Sequence, residues 1–280
     1  GTVDTLFSPL SVQGPMARNV PDVALFLDTM AGYCHLDPMT FDAPRLSFSS
    51  AVAAPQRPHR VAFAATIGGS PVDQETENIC RDSMRHFKNV GSKVEEITID
   101  LEDLEDTFLA LRSQEFVIDR ELQLERYRDQ IKPDIIWNTE LGLEQSIPTL
   151  AKAERARAAL YTQFNDLFSQ YDLIVTPGAN TPAFDVELRY PEAIDGIKLE
   201  HYMAASTLTA AVTISASPAL SLPCGFDQYG RPIGLQLIGR PRGEAALLAA
   251  GALFEAESGL AEKVPIDPRH GKVPPMGELT

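Results

Sequence analysis

Only three cysteines, Cys34, Cys80 and Cys224, occur in the 280 residues, and no two of them form a C-x-x-C pair. An odd number at wide spacing argues against a disulfide framework or a zinc cluster and for a reducing, cytoplasmic compartment. The histidines are as sparse: His35, His59, His86, His201 and His270 show no H-E-x-x-H or other short ligand spacing, so no metal is expected. Long apolar runs are missing too, and nothing approaches the roughly 20 residues that span a bilayer. Positive charge is scarce, with 24 Lys and Arg against 39 Asp and Glu, a formal net charge of −15. A surface this acidic repels phosphate, which argues against nucleic acid or an anionic membrane as partner. The pair Gly68 and Gly69 lacks the spacing of a dinucleotide or Walker loop, so no cofactor is expected. There is no G-x-S-x-G elbow and no S-x-x-K motif.

What is present describes a globular chain. With 44% hydrophobic and 22% charged residues it can bury a large core, and we expect one domain over 1–280, ending in a partly ordered tail over 264–280 that is rich in proline. Helical and strand patterns alternate, the mark of an α/β layer architecture. Asn19 is placed to cap a helix from about Val20 to Met30, with Pro21 in its first turn and Gly32 beyond its end. Val61–Ala65 and Val94–Ile99 read as strands and Asp73–Phe87 as an amphipathic helix. Leu101, Leu104, Phe108 and Leu111 share one helix face, as do Leu160, Phe164, Leu167 and Phe168. Leu173, Ile174 and Val175 form a continuous apolar run, expected of a strand covered on both faces. The segment Ser47–His59, rich in Ser, Ala and Pro, reads as a surface connection. Glu95 with Glu96, and Asp103 with Glu105, read as solvated faces.

The most informative stretch is PALSLPCGFDQYGRPIGLQLIGRPRGEAALLAA, Pro218 to Ala250. Ala219–Leu222 makes a strand, Asp227–Pro232 a turn, and the return strand points Ile233, Leu235 and Leu237 one way and Gln236 and Ile238 the other. Gly243 and Glu244 then open a helix with Ala246, Leu247, Ala250 and Phe254 on one face. The hydroxyl-rich segment from Ser206 to Ser221 reads as an Ala-rich helix leading into that strand, its hydroxyls bonded to backbone carbonyls or lining a pocket.

The whole string resembles the amidase signature family of serine amidases. SPLSVQGPMARNVPDVALFLDTMAG, Ser8 to Gly32, is similar to the family's G-P-M-A-R turn and the helix after it. YDLIVTPGANTPAF, Tyr171 to Phe184, resembles its D-x-L-L-x-P-x-x-x-x-P-A strand and loop. The three stand in the family's order and cover nearly the whole chain. The resemblance implies an α/β fold with a mixed β-sheet layered between helices, part of the amidase signature fold. It also implies a small-molecule amide as partner, with a lysine, a serine in a cis peptide bond and a nucleophilic serine attacking the carbonyl. In the family those residues precede the G-P-M-A-R turn, and no lysine here matches the context. Catalytic residues are therefore not assigned within the chain, which opens at Gly1 rather than at a methionine, and a missing N-terminal segment or a homo-oligomer partner is expected to complete it.

For this chain the expectation is a scaffold and a substrate pocket. Ligands of open α/β sheets sit beyond the carboxyl ends of strands, which singles out Thr176 and Pro177. The family's N-L-T-G-x-P-A corresponds to TISASPA, Thr213 to Ala219, so Thr213 and Ser215 join them, and Ala216 in place of Gly narrows that corner. Tyr202, and more weakly Trp137 with Asn138, complete the candidates, while Arg18 reads as structural. Three functions stand side by side: the C-terminal part of a carbon–nitrogen hydrolase acting on a linear amide, a non-catalytic amidase-like scaffold, and an amidotransferase subunit releasing ammonia from glutamine. If strands of one sheet come from both halves of a longer protein, this chain exposes strand edges and self-associates.

Overall fold

A computed structural model describes residues 4–263; the tail expected from Val264 onward lies outside them. Helix α1, Val20–Met30, begins as anticipated: the Asn19 side chain accepts the Asp22 N–H and Pro21 sits in the first turn. Its first free N–H, that of Val20, donates to the Glu255 carboxylate at 3.0 Å, which fastens α1 to the far end of the chain. The segment read as a loose connection instead forms α2, Phe48–Ala53. Asp28 at the end of α1 accepts from the backbone N–H groups of Phe48 (2.6 Å) and Ser49 (3.0 Å). Phe48 and Val52 are buried in the core. Alanine and serine composition suggested a loop; Ser47 caps the helix by accepting the Ser50 N–H at 3.1 Å, and a carboxylate twenty residues upstream satisfies its first two N–H groups.

Strand β1, Arg60–Phe63, is followed by α3, Gln74–Ser83, and α4, Arg85–Asn89. The single helix expected over 73–87 is therefore broken at Met84. Strand β2, Lys93–Glu96, is shorter than expected, with Ile99 contributing one isolated bridge to Ile67. Helix α5, Leu104–Tyr127, starts after Leu101, and α6, Pro133–Leu143, was not anticipated. Helix α7, Ile147–Gln170, runs into the buried strand β3, Leu173–Pro177. A small ribbon of β4, Ala193–Ile194, and β5, Ile197–Lys198, precedes α8, Thr207–Ile214. The hairpin β6, Ala219–Phe226, and β7, Pro232–Ile238, and helix α9, Glu244–Ser258, fall where the pattern put them.

The sheet order is β2-β1-β3-β7-β6, parallel through β2, β1 and β3 and antiparallel from β3 to β7 and β6. It is the mixed sheet between helices that the resemblance implied. Alternation along the strands sorts the core into two halves. Val61, Phe63, Leu173, Val175, Ile233, Leu235 and Leu237 face the side covered by α1, α2, α3, α4 and α9. Ala62, Ile174 and Ile238 face Leu160, Phe164 and Phe168 of α7 and Leu208 and Ala211 of α8. Both faces of β3 are buried, which is why its sequence is apolar without interruption.

The acidic pairs are not simply solvated. Glu95 receives Lys93 Nζ at 2.5 Å and Arg60 Nη2 at 2.6 Å, Glu96 receives Arg81 at 2.7 Å, Asp103 binds Lys152, and Glu105 binds His201. The hydrogen bonds from Lys93 and Arg60 hold the Glu95 carboxyl at about 2, against an ordinary value of 4.5. A folded value below the unfolded one stabilises above about pH 4.5, and that stabilisation disappears as pH falls toward 2. Glu95→Gln is thus expected to lower the urea midpoint near neutrality, with mutant and wild type converging in acid; a gap that persists at low pH would locate the effect in packing instead.

Ala216 has a positive φ of 53° in the tight turn between α8 and β6. Its methyl group is exposed and lines neither of the two cavities described below, so its consequence is backbone strain, not the narrowed pocket corner expected for it. A left-handed alanine costs about 1 kcal/mol relative to glycine, and Ala216→Gly should raise stability by up to that amount in urea unfolding. An unchanged or lowered midpoint would show the turn to be unstrained.

Candidate functional site

The five candidate pocket residues divide into an interior pair and an open group. Thr176 is fully buried on the α8 side of the sheet, where its hydroxyl accepts Gln236 Nε2 at 2.8 Å across the β3–β7 pair. Pro177 follows it, buried, at the carboxyl end of β3. Ser215 is also fully buried and its hydroxyl donates to the Val212 carbonyl at 2.8 Å. These three side chains line neither cavity, whereas Tyr202 lines one and Thr213 lines the other.

The first cavity, about 450 Å³, lies beyond the carboxyl end of β3, between the loop after it and the start of β7. Tyr202, Tyr190, Phe184 and Ile233 form its apolar lining, with Arg189 and Asn180 as polar members. Asn180 is 1% exposed; its amide N–H₂ donates to the Pro71 carbonyl at 2.7 Å, and its Oδ1 has no partner among the described residues. A buried carbonyl oxygen without a donor is costly, and here it belongs to a residue that lines the cavity. Arg189 is paired with Asp134 and lies 5.7 Å from the Tyr202 ring.

Tyr202 links this cavity to a second one of about 360 Å³ between α5 and α8, lined by Arg112, Phe108, Phe116, Thr209 and Thr213 among others. The Tyr202 hydroxyl accepts Asn138 Nδ2 at 2.6 Å and Arg112 Nη2 at 3.4 Å. Asn138, 1% exposed, also donates to the Asp134 carbonyl at 2.6 Å and accepts Arg112 Nε at 3.2 Å. Half-buried Trp137 packs against His201 at 5.3 Å and edge-on against Tyr202 at 5.8 Å. His201 Nε2 meets Glu105 at 2.8 Å. Three separate stretches, α5, α6 and the 3-10 turn at Tyr202–Ser206, are thereby tied into one polar knot.

Tyr202, Trp137 and Asn138 were named from the sequence and come together here. Arg112, Gln236 and Asn180 were not. Nothing local marks Arg112, which sits in a helix with ordinary amphipathic spacing. Gln236 carried a weak signal, a polar residue at an inward position of an apolar strand. Arg18 is exposed. Among the described residues no three His, Cys, Asp or Glu side chains gather to hold a metal ion, and no helix is long and apolar enough to cross a membrane.

Known proteins bear on this arrangement. The amidase family model matches residues 1–248. An acylamidase of Rhodococcus erythropolis is 27% identical over 256 residues, covering 91% of this chain and 54% of its own. A glutamyl-tRNA(Gln) amidotransferase subunit of Moorella thermoacetica is 31% identical over 278 residues, covering 89% of this chain and 54% of its own. Among solved structures, a bacterial aryl acylamidase of the amidase signature enzymes superposes with a TM-score of 0.79 at 23% identity, over 89% of this chain and 53% of that one. The chain spans about half the length of the curated relatives it matches.

Proposed function

Since the chain belongs to the amidase family, we propose that it is part of a carbon–nitrogen hydrolase that cleaves a linear amide through a serine acyl-enzyme, and that it supplies scaffold and substrate pocket as one domain. The observation that carries this reading is the cavity beyond β3, which has aromatic walls and is lined also by Asn180, a buried side chain whose Oδ1 has no partner among the described residues. An amide substrate offers polar groups for the Asn180 side of that cavity and an apolar body for the rings of Tyr202, Tyr190 and Phe184. The nucleophile, its lysine and the oxyanion donors come from upstream of Gly1 in this proposal. The outer edge of β6, which among the described residues pairs only with β7, is where further strands would add. Cytoplasmic placement and assembly with a second copy belong to the same proposal.

The 31% identity to an amidotransferase component favours a second reading, release of ammonia from glutamine for a partner enzyme. The net charge of −15 gives no support for a direct contact with tRNA. The test is ammonia release from aliphatic amides, aromatic amides and glutamine, by the 280-residue chain and by a polypeptide extended through whatever coding sequence precedes Gly1. Activity confined to the extended form supports the proposal. Activity in the short chain would place a nucleophile inside it and overturn the division of labour. Silence in both would leave a binding or scaffold role, and activity on glutamine alone would select the second reading.

A further inference from the structure

The cavity between α5 and α8 carries a feature that amide binding does not use. Arg112 is half-buried on its wall, and no carboxylate pairs with it among the described residues. Its guanidinium is held by neutral acceptors, Asn138 Oδ1 on Nε and the Tyr202 hydroxyl on Nη2, while Nη1 has no acceptor among those residues. One side is stacked over Phe116 at 4.6 Å, with Phe108 at 5.9 Å. Held in this way by two side chains of other elements, the fork loses little freedom on meeting a ligand. The two acids on the cavity wall are engaged, since Glu115 accepts the Ser8 hydroxyl and Asp119 has a partner of its own, and the wall's other arginine, Arg120, donates to Gln123 Oε1 at 3.0 Å.

We propose that this cavity is a binding site for a small monocarboxylate, with the Arg112 fork receiving the carboxylate and Phe108 and Phe116 covering its apolar body. The planar guanidinium matches a planar carboxylate in paired hydrogen bonds. The hydroxyl of Thr213 lines the same cavity and supplies a donor for a remaining lone pair, whereas that of Thr209 is donated to the Ser206 carbonyl at 2.9 Å. A dianionic phosphate is disfavoured, because Glu115 and Asp119 stand on the same wall as Arg112 and Arg120 and leave it with no net positive charge to offset two negative ones. The site selects among acids by the apolar body they carry, and it does not depend on whether the protein hydrolyses amides.

The test is equilibrium binding to the 280-residue chain, by calorimetry and by the fluorescence of Trp137, the one tryptophan, with benzoate, benzamide and sulfate as probes. Benzoate is expected to bind more tightly than either benzamide or sulfate. Arg112→Gln should weaken benzoate about tenfold, the loss of one charge-assisted pair, and leave benzamide unaffected. Arg112→Lys, which keeps the charge and loses the fork, should fall between. Circular dichroism checks each fold; if the glutamine variant is unfolded, the lysine variant carries the test, and benzoate affinity equal to wild type would refute the fork. Equal affinity for benzoate and benzamide, preference for sulfate, no binding of benzoate, or benzoate binding unchanged in Arg112→Gln would each overturn the proposal. Benzamide binding alone would do so while leaving the amide pocket standing. Benzoate binding by a protein whose extended form is silent on every amide would support this site and refute the hydrolase.

Discussion

Replacing Gly142 by alanine is expected to destabilise the protein by about 1–2 kcal/mol and to change the emission of Trp137. Gly142 lies near the end of α6, where a Cβ would stand 2.3 Å from the Ser113 carbonyl oxygen and 2.5 Å from Val117 Cγ2 of α5. The first of these is backbone, which no rotamer change can clear. Overpacking of this kind costs about 1–3 kcal/mol and occasionally more, while alanine returns about 1 kcal/mol of helix propensity. The helices must therefore move apart, and the site moves with them. Ser113 is the neighbour of Arg112, and Gly142 is one helical turn from Asn138, so the hydrogen bond between those two spans the same helix pair. Trp137, packed on His201 and Tyr202, reports any displacement. Urea unfolding with an unchanged midpoint and an unshifted emission maximum would show that α5 and α6 tolerate the methyl group and that their close approach is not what sets the site.

Asn138→Ala should cost about 3 kcal/mol and reduce benzoate affinity with it. Asn138, itself 1% exposed, donates to the Tyr202 hydroxyl and the Asp134 carbonyl and accepts from Arg112 Nε, its three partners being half-buried residues. Truncation leaves three groups short of partners at once, and each buried group so stranded costs about 1–3 kcal/mol, partly recovered by water or rearrangement. Tyr202→Phe removes one oxygen from the same network and should cost less. In the double variant the two losses should fall well short of additive, because each single change already breaks the same bond. Strict additivity in urea unfolding would mean that the bonds to Tyr202 and Asn138 act independently and that Arg112 is not held by them as a unit.

How far the sequence reaches can be judged element by element. The hairpin of β6 and β7 with α9 was legible because two-residue alternation, a turn with Asp227 and Gly230, and a four-residue apolar repeat are all local patterns. Helix α1 was legible because its cap, Asn19, and its Pro21 are local as well. Helix α2 was not: it is six residues long, and although Ser47 caps it locally, its first two N–H groups are satisfied by Asp28 from another element. Helix α6 escaped for a related reason. Its buried residues are Asn138 and Thr139, polar side chains satisfied inside the site, so it carries no strong apolar stripe. Asp103 and Glu105 misled in the same way, because their partners lie on other elements, and Glu95 is held by Arg60 of β1 as well as by Lys93 of its own strand.

The site shows the same division. Tyr202 and Trp137 with Asn138 were named as isolated pocket candidates, and Thr176 from its position at a strand end, yet the chain alone gives no reason to place Arg112 beside any of them. By itself the sequence determined the α/β class, because strand alternation and helical repeats act over a few residues, and its contiguous motifs carried the resemblance that implied the family and the mixed sheet. Only the tertiary structure decided that Arg112, Asn138 and Tyr202, which are 26 and 64 residues apart along the chain, form one network, and that Arg112 is left without an acid. Charge pairing and cavity shape depend on which distant elements meet, and that is fixed by packing across the sheet rather than by any local pattern.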